Sequence, residues 1–141
     1  EFGTTTGRKR RVGWFDAVLL RQAARWNSFD SLAITKLDVL DSLAEISLCV
    51  GYELDGRPID DVPSSAQEME RVKPIYETLP GWQSPTSEIR TFHALPQKAK
   101  DYLQRIESLC SVPISIISLG PDRQQTLHLT DVFLDNGGNN P

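Results

Sequence analysis

The sequence has few of the features that mark membrane or small secreted proteins. Of its 141 residues only two are cysteines, Cys49 and Cys110. They stand far apart, match no close metal-ligand spacing, and are fewer than a small secreted scaffold usually carries. No run approaches the roughly 20 apolar residues of a membrane helix, and no apolar signal segment follows the basic N-terminal run. We therefore expect no membrane segment and a reducing, cytoplasmic setting.

Positive charge is concentrated at one point of an otherwise acidic chain. The net charge is -4, from 15 basic and 19 acidic residues, and four of the basic residues form the run Arg8 to Arg11. Without this run, 11 basic residues face 19 acidic ones, which leaves -8. A single positive spot favours a local anion site, because a nucleic-acid surface needs basic residues spread over a face. A nucleic-acid or nuclear-localisation arm is the alternative interpretation.

The hydrophobic pattern predicts one mixed α/β domain. Apolar residues recur at helical spacing over 14–26 and 96–109, and we expect Trp14, Trp26 and Tyr102 in the core. Continuous apolar runs at 32–37 and 113–119 are typical of buried parallel strands. Between them, 45–54 and 72–79 read as strands, with a hairpin turn at Asp55-Gly56. The tail 135–141 should be disordered.

Both predicted parallel strands end in polar, turn-rich sequence. Thr35-Lys36-Leu37-Asp38 follows the first strand, and Ser118-Leu119-Gly120-Pro121 follows the second. In open α/β sheets, ligands bind just beyond the carboxyl ends of such strands. We therefore expect both segments to lie at a binding edge.

The first of these segments is suited to reading guanine. It resembles the Asn/Thr-Lys-x-Asp element of guanine-nucleotide proteins, in which one carboxylate accepts from both N1–H and the exocyclic amine of the base. The Lys36 stem can lie along the flat face of the purine while its ammonium stays in water. The alternative is that Asp38 is only the N-cap of a short helix over 39–43.

The second segment can complete that site. Backbone amides in the turn at 118–121 can donate to guanine O6, and Gly120 allows the base to approach closely. The alternative is a plain exit from a strand into a turn.

The loop from Gly3 to Arg11 combines hydroxyls, backbone amides and arginines. Three threonines lie between two glycines, and the arginines that follow can pair bidentately with carboxylate or phosphate. This composition favours a small dicarboxylate or a phosphorylated ligand. We assign no catalysis to His93 or His128, because neither has an acidic or nucleophilic partner nearby in the sequence, and we expect both cysteines to be small core residues.

Five ordered segments together resemble the C-terminal third of the adenylosuccinate synthetase family over nearly the whole chain. They are 3–11 (GTTTGRKRR), 13–16 (GWFD), 35–41 (TKLDVLD), 76–82 (YETLPGW) and 117–123 (ISLGPDR). The resemblance implies a GTP- and Mg²⁺-dependent ligase of AMP biosynthesis that condenses IMP with L-aspartate, in a cytoplasmic homodimer. It also implies the fold: the C-terminal part of a P-loop NTPase-like mixed sheet, with flanking helices and an antiparallel excursion.

The resemblance also implies the roles of individual residues within one domain portion, 1–134, with an aspartate loop over 1–13. Aspartate would be bound by Thr4, Thr5, Thr6, Gly7, Arg8, Lys9 and Arg10. Arg8 would also contact IMP, and Arg10 would also contact GTP. The guanine base would lie among Lys36, Leu37, Asp38, Ser118, Leu119 and Gly120.

The family's phosphate loop, with its catalytic aspartate that also binds Mg²⁺, and its catalytic histidine have no counterpart in the sequence. The resemblance thus implies that no catalytic or metal-binding residue lies in this segment and that Mg²⁺ is bound by the N-terminal part. Alone, the segment is expected to turn over nothing and to bind guanine nucleotides weakly at best. A non-catalytic guanine-nucleotide-binding module is the alternative function. We expect neither nucleic acid nor membrane as a partner.

Overall fold

The computed structural model describes residues 3 and 5–129. Thr4, one of the expected aspartate ligands, lies outside the described residues, and so does the predicted disordered tail 135–141. The helices are α1 (Ala17–Asn27), α2 (Ala66–Met69) and α3 (Gln97–Cys110). The strands are β1 (Phe15–Asp16), β2 (Leu32–Ile34), β3 (Glu45–Leu54), β4 (Arg57–Ile59), β5 (Lys73–Pro80), β6 (Ile114–Ser118) and β7 (Thr126–His128). Three 3₁₀ turns cover Leu37–Leu40, Phe92–Ala94 and Arg123–Gln125. The predicted mixed α/β class is confirmed.

The first sheet is built around β3. Strands β4 and β5 both pair with β3 antiparallel, and the short β1 pairs with it in parallel. Between β3 and β4 the chain turns through Asp55 and Gly56, whose φ angles are 51° and 79°. Positive φ at both central residues fits the right-handed twist of a hairpin, which explains the Asp-Gly pair. The predicted strand 45–54 and the hairpin turn are confirmed.

The second sheet holds the two predicted parallel strands side by side. β2 and β6 are parallel, and β7 pairs with β6 antiparallel. β2 is shorter than predicted and ends at Ile34, because Lys36 adopts left-handed backbone angles (φ 60°, ψ 38°) that end the extended run. The three residues of β7 are too few to show a period in the sequence, and they place His128 as an exposed strand residue, its default interpretation.

Helix α3 closes the core as the sequence predicts. Its buried residues are Ala99, Tyr102, Leu103, Ile106 and Cys110. They pack in one hydrophobic cluster with the apolar side chains of β2 and β6. Cys49 and Cys110 are both buried and free, as expected for small core residues. No helix in the described part of the chain is long and apolar enough to cross a membrane.

The expected core positions of two tryptophans are wrong. The Asp16 carboxylate accepts from the Val18 and Leu19 amides at 2.9 and 3.0 Å, so α1 begins at Ala17 and not at Trp14. Trp14 therefore precedes the helix and is 43% exposed, and Trp26 is 76% exposed. Trp26 lies two positions after the buried Ala24. Two residues correspond to a rotation of about 200° around the helix axis, so the Trp26 side chain faces away from the core.

Candidate functional site

The strand pairing brings the two predicted guanine-binding segments to one edge. Ile34 of β2 lies opposite Ile117 of β6 in the parallel register. Thr35 to Asp38 leave the sheet just after Ile34, and residues 119–121 leave it after Ser118, the last residue of β6. Both segments therefore emerge at the carboxyl ends of neighbouring parallel strands, where open α/β sheets bind ligands.

The first segment presents polar groups outward and anchors itself through one leucine. Thr35 and Lys36 are exposed, whereas the Leu37 side chain is buried in the core. Asp38 is half-buried and lies inside the 3₁₀ turn. The N-cap position of this turn belongs to Lys36, whose side chain makes no capping hydrogen bond. The alternative that Asp38 is a helix N-cap is therefore wrong. Leu37 can contribute only backbone atoms to a ligand.

The second segment is a compact turn whose backbone is already partly hydrogen-bonded. The Leu119 side chain is buried, and its amide donates to the Gln125 carbonyl oxygen at 2.8 Å. The Ser118 hydroxyl donates to the Gly120 carbonyl oxygen at 2.9 Å. Pro121 has no N–H, so Gly120 holds the amide of this turn best placed to donate to a ligand.

Position 120 in this turn requires glycine because the Gln125 side chain lies directly beside it. A Cβ at position 120 would lie 2.2 Å from Gln125 Oε1. The Gln125 side chain is itself held, because its Oε1 accepts from the Asp122 amide at 3.0 Å. Gly120 thus lets Gln125 pack directly against the backbone of the predicted base-binding turn.

The loop that starts at Gly3 closes on itself at Arg8, and the basic residues Lys9 to Arg11 follow this closed turn. The Gly3 amide donates to the Arg8 carbonyl oxygen at 2.8 Å, and the Gly7 amide donates to the Gly3 carbonyl oxygen at 2.9 Å. The Arg8 amide lies 3.4 Å from the Thr6 hydroxyl oxygen. Gly7 has a φ of 62°, which favours glycine. The side chains of residues 8–11 are exposed around this turn.

An apolar groove joins the end of that loop to the first base-binding segment. One cavity of about 380 Å³ lies between residues 12–15 and residues 33–37 and 39–40, with Tyr102 and Ile106 also in its wall, whereas Asp38 does not line it. A second cavity, of about 550 Å³, extends it towards Tyr76 and shares Val12, Gly13, Trp14, Val39 and Leu40 with the first. The loop and the base-binding segment therefore border one depression.

The tyrosine in this wall stays protonated at ordinary pH. Burial raises the pKa of Tyr102 to about 12. The described residues include no group of three or more His, Cys, Asp or Glu side chains that could hold a metal ion.

Sequence analysis gave no role to two side chains, Asp41 and Gln125, that tie the base-binding segments to the loop between them. Asp41 accepts from Trp82 Nε1 at 2.7 Å and from the Thr86 amide at 2.7 Å. Gln125 Nε2 donates to the Ser87 carbonyl oxygen at 3.2 Å. The Asp122-x-x-Gln125 spacing of a capping box indicates only the local bond from the Asp122 amide to Gln125, and no local pattern indicates the contacts with Trp82, Thr86 or Ser87.

Comparison with known proteins identifies close relatives. A family model described as adenylosuccinate synthetase matches residues 1–127. Adenylosuccinate synthetase of Trichormus variabilis is 60% identical over 131 residues, which cover 93% of this chain and 29% of that protein. The Methylobacillus flagellatus enzyme is 53% identical over 133 residues, covering 94% of this chain and 30% of its own length.

A solved structure matches as well. The chain superposes with a TM-score of 0.86 and 37% identity on the fully ligated adenylosuccinate synthetase from Plasmodium falciparum, over 92% of this chain and 32% of that one. The chain thus spans about 30% of the length of the curated relatives it matches.

Proposed function

The chain belongs to the adenylosuccinate synthetase family, and from this premise we propose that it supplies the guanine-reading and aspartate-binding segments of a GTP-dependent ligase. The proposed ligase joins IMP and L-aspartate to form adenylosuccinate. The observation that carries the proposal is the pairing of Ile34 with Ile117, because it brings both base-binding segments to one sheet edge.

In the proposed guanine site, the Asp38 carboxylate accepts from N1–H and the exocyclic amine of the base. Its half-buried position supports this role, because partial removal from water strengthens a charge-assisted hydrogen bond. Lys36 lies along the purine face, the Gly120 amide donates to O6, and Leu37, Ser118 and Leu119 shape the site through their backbone. Adenine presents an acceptor at N1 and would repel the carboxylate.

In the proposed aspartate site, the closed turn over residues 3–8 surrounds the ligand with hydroxyls, amides and guanidinium groups. Thr4, Thr5, Thr6, Gly7, Arg8, Lys9 and Arg10 bind the two carboxylates of L-aspartate. Arg8 also contacts IMP, and Arg10 also contacts GTP. The self-closed backbone supports this arrangement over a nucleic-acid arm, because a preformed turn loses less entropy when a small ligand binds.

We extend the proposal to the whole ligase. Residues 1–134 would form the C-terminal portion of a P-loop NTPase-like sheet, and the ligase would be a cytoplasmic homodimer. GTP phosphates and Mg²⁺ would be bound by other parts of the synthetase, because the 141 residues contain no Gly-x-x-x-x-Gly-Lys phosphate loop. Alone, the chain should therefore release no phosphate from GTP.

A chimera tests this proposal directly. The matching segment of the Trichormus variabilis synthetase is replaced by this chain, and phosphate release is measured with GTP, IMP and L-aspartate. We expect activity that requires all three substrates. An inactive but folded chimera would contradict the proposal. Calorimetry on the chain alone distinguishes the ligase segment from the alternative function. GDP binding at micromolar or tighter affinity would favour an independent guanine-nucleotide-binding module.

A further inference from the structure

We propose that residues 82–87 and the side chains of Asp41 and Gln125 form a positioning link that holds the two base-reading segments at a fixed separation. This inference rests on the proposed function and goes beyond it, because none of the linking side chains contacts the ligand in that proposal. They are positioning residues and act through the backbone of the two segments.

At one end the link begins three residues after the proposed guanine reader. The Asp41 amide donates to the Asp38 carbonyl oxygen at 3.1 Å, so the two residues share one 3₁₀ turn. The Asp41 carboxylate accepts from the Thr86 amide at 2.7 Å and from the Thr86 hydroxyl at 2.9 Å. It also accepts from Trp82 Nε1 at 2.7 Å. Three donors on one carboxylate fix its position firmly.

The middle of the link is anchored by two buried residues, Trp82 and Thr86. Thr86 is fully buried, and Trp82 is 7% exposed and lies against the Tyr102 ring, with 6.0 Å between ring centroids. The neighbouring Gly81 amide donates to the Ala44 carbonyl oxygen at 2.8 Å, next to the end of β5. Residues 83–85 are exposed or half-buried and line a cavity of about 380 Å³. A displacement is therefore transmitted through the buried Thr86 and its hydrogen bonds, because a closely packed group has no empty space in which to absorb it.

At the other end the link reaches the second base-reading segment. The Ser87 carbonyl oxygen accepts from Gln125 Nε2 at 3.2 Å. The buried Gln125 side chain accepts from the Asp122 amide, and its backbone oxygen accepts from the Leu119 amide. Gln125 therefore connects Ser87 to both sides of the turn that contains Gly120, through its side chain on one side and its backbone on the other.

The chemistry of guanine recognition makes this separation important. A base that is read by a carboxylate on one segment and by an amide on the other needs both groups correctly placed at once, and hydrogen bonds weaken steeply as their geometry departs from the optimum. The parallel pairing of β2 and β6 fixes the strands but ends at Ile34 and Ile117. Beyond the strands, the link supplies a second connection between the two segments.

Two variants in the chimera test the link at its two ends. Gln125→Glu is nearly isosteric and retains an oxygen for the Asp122 amide, but it loses the donor to Ser87. Thr86→Val keeps the shape and the backbone amide and loses the hydroxyl that donates to Asp41. We expect each to raise KM for GTP about tenfold, the loss of roughly one buried hydrogen bond, with kcat and the KM values of IMP and aspartate little changed.

A second readout separates positioning from general destabilisation. Inosine triphosphate lacks the exocyclic amine, so a displaced Asp38 should lower the preference for GTP over this analogue. Tyr52→Phe is the matched control, because it removes a buried hydroxyl that donates to Asp16 at 2.5 Å, in a hydrophobic cluster that contains no residue of the link. We expect a lower Tm in this control but an unchanged GTP preference.

The outcomes are distinct. An unchanged KM for GTP in either link variant overturns the proposal. The proposal is also overturned if the link variants impair all kinetic constants equally and the Tyr52→Phe control shows the same change. If the parent chimera is inactive, the proposed function fails, and hydrogen exchange on the 141-residue chain then decides about the link. Gln125→Glu should increase amide exchange in residues 82–90 as well as in 119–125, whereas an increase confined to 119–125 would overturn the link.

Discussion

Ile34 and Ile117 lie opposite each other on neighbouring parallel strands, although 83 positions separate them in the sequence. The chain leaves the sheet directly after Ile34 and one residue after Ile117, and at each point it enters one of the two proposed base-reading segments. This register is what allows a carboxylate from one segment and an amide from the other to approach the same purine. A shift of one residue would turn the buried Ile117 side chain to the other face of the sheet.

The first prediction concerns Asp38. In the chimera, Asp38→Asn presents a donor where guanine also has donors, so kcat/KM for GTP should fall about 100-fold, the loss of two charge-assisted hydrogen bonds. Xanthosine triphosphate carries an acceptor in place of the amine and should be used better by the variant than by the parent enzyme. Asp101→Asn, on the exposed side of α3, is the matched control. Normal use of GTP by Asp38→Asn would exclude this residue as the guanine reader.

The second prediction concerns Arg8. Arg8→Lys keeps the positive charge but loses the planar fork that pairs bidentately with a carboxylate. The KM for L-aspartate should rise about tenfold or more, and the KM for IMP should rise with it, while the KM for GTP changes little. Initial rates with one substrate varied at a time provide the measurement. Arg57→Lys, on the exposed strand β4, should change none of these values. An unchanged KM for L-aspartate in Arg8→Lys would contradict the role assigned to its guanidinium fork.

The sequence predicted the paired strands and the buried face of α3 because both are local patterns of apolar residues with clear lengths and periods. Trp14 and Trp26 were misplaced for a related reason. Their helical spacing is genuine, but the Asp16 cap starts the helix later, and large side chains at the correct period need not face the core. The contacts of Asp41 and Gln125 could not be predicted, because they join segments about 40 residues apart that no periodicity relates.

The third prediction concerns alkaline pH. Burial raises the pKa of Tyr102 to about 12, and burial together with the hydrogen bond to Asp16 raises the pKa of Tyr52. Because the folded-state pKa values lie above the unfolded value of about 10, this stabilisation is complete below about pH 10 and is lost as the pH rises. For Tyr102 the loss reaches about 2 kcal/mol near pH 12.

Thermal unfolding of the 141-residue chain between pH 8 and pH 12 measures this effect. Tyr102→Phe cannot ionise at this position, so its Tm should fall less steeply above about pH 10 than that of the parent chain, even if it begins lower. Parallel Tm curves for the two proteins would contradict the role assigned to the buried hydroxyl. Tyr76→Phe is the control, because Tyr76 is 48% exposed.

The fourth prediction concerns Gly81, beside the positioning link. A Cβ at this position would lie 1.9 Å from the Leu43 carbonyl oxygen, a backbone atom that cannot rotate away as a side chain could. Gly81→Ala should therefore separate residues 81–87 from the segment after the 3₁₀ turn and lower the free energy of unfolding by about 3 kcal/mol. Gly13→Ala is the matched control, since no atom lies within 4 Å of its added Cβ, and it should change stability by less than about 0.5 kcal/mol. Urea unfolding of both variants provides the comparison. Equal stabilities would mean that the close approach of Gly81 to Leu43 is not required, and the anchored middle of the link would lose its main support.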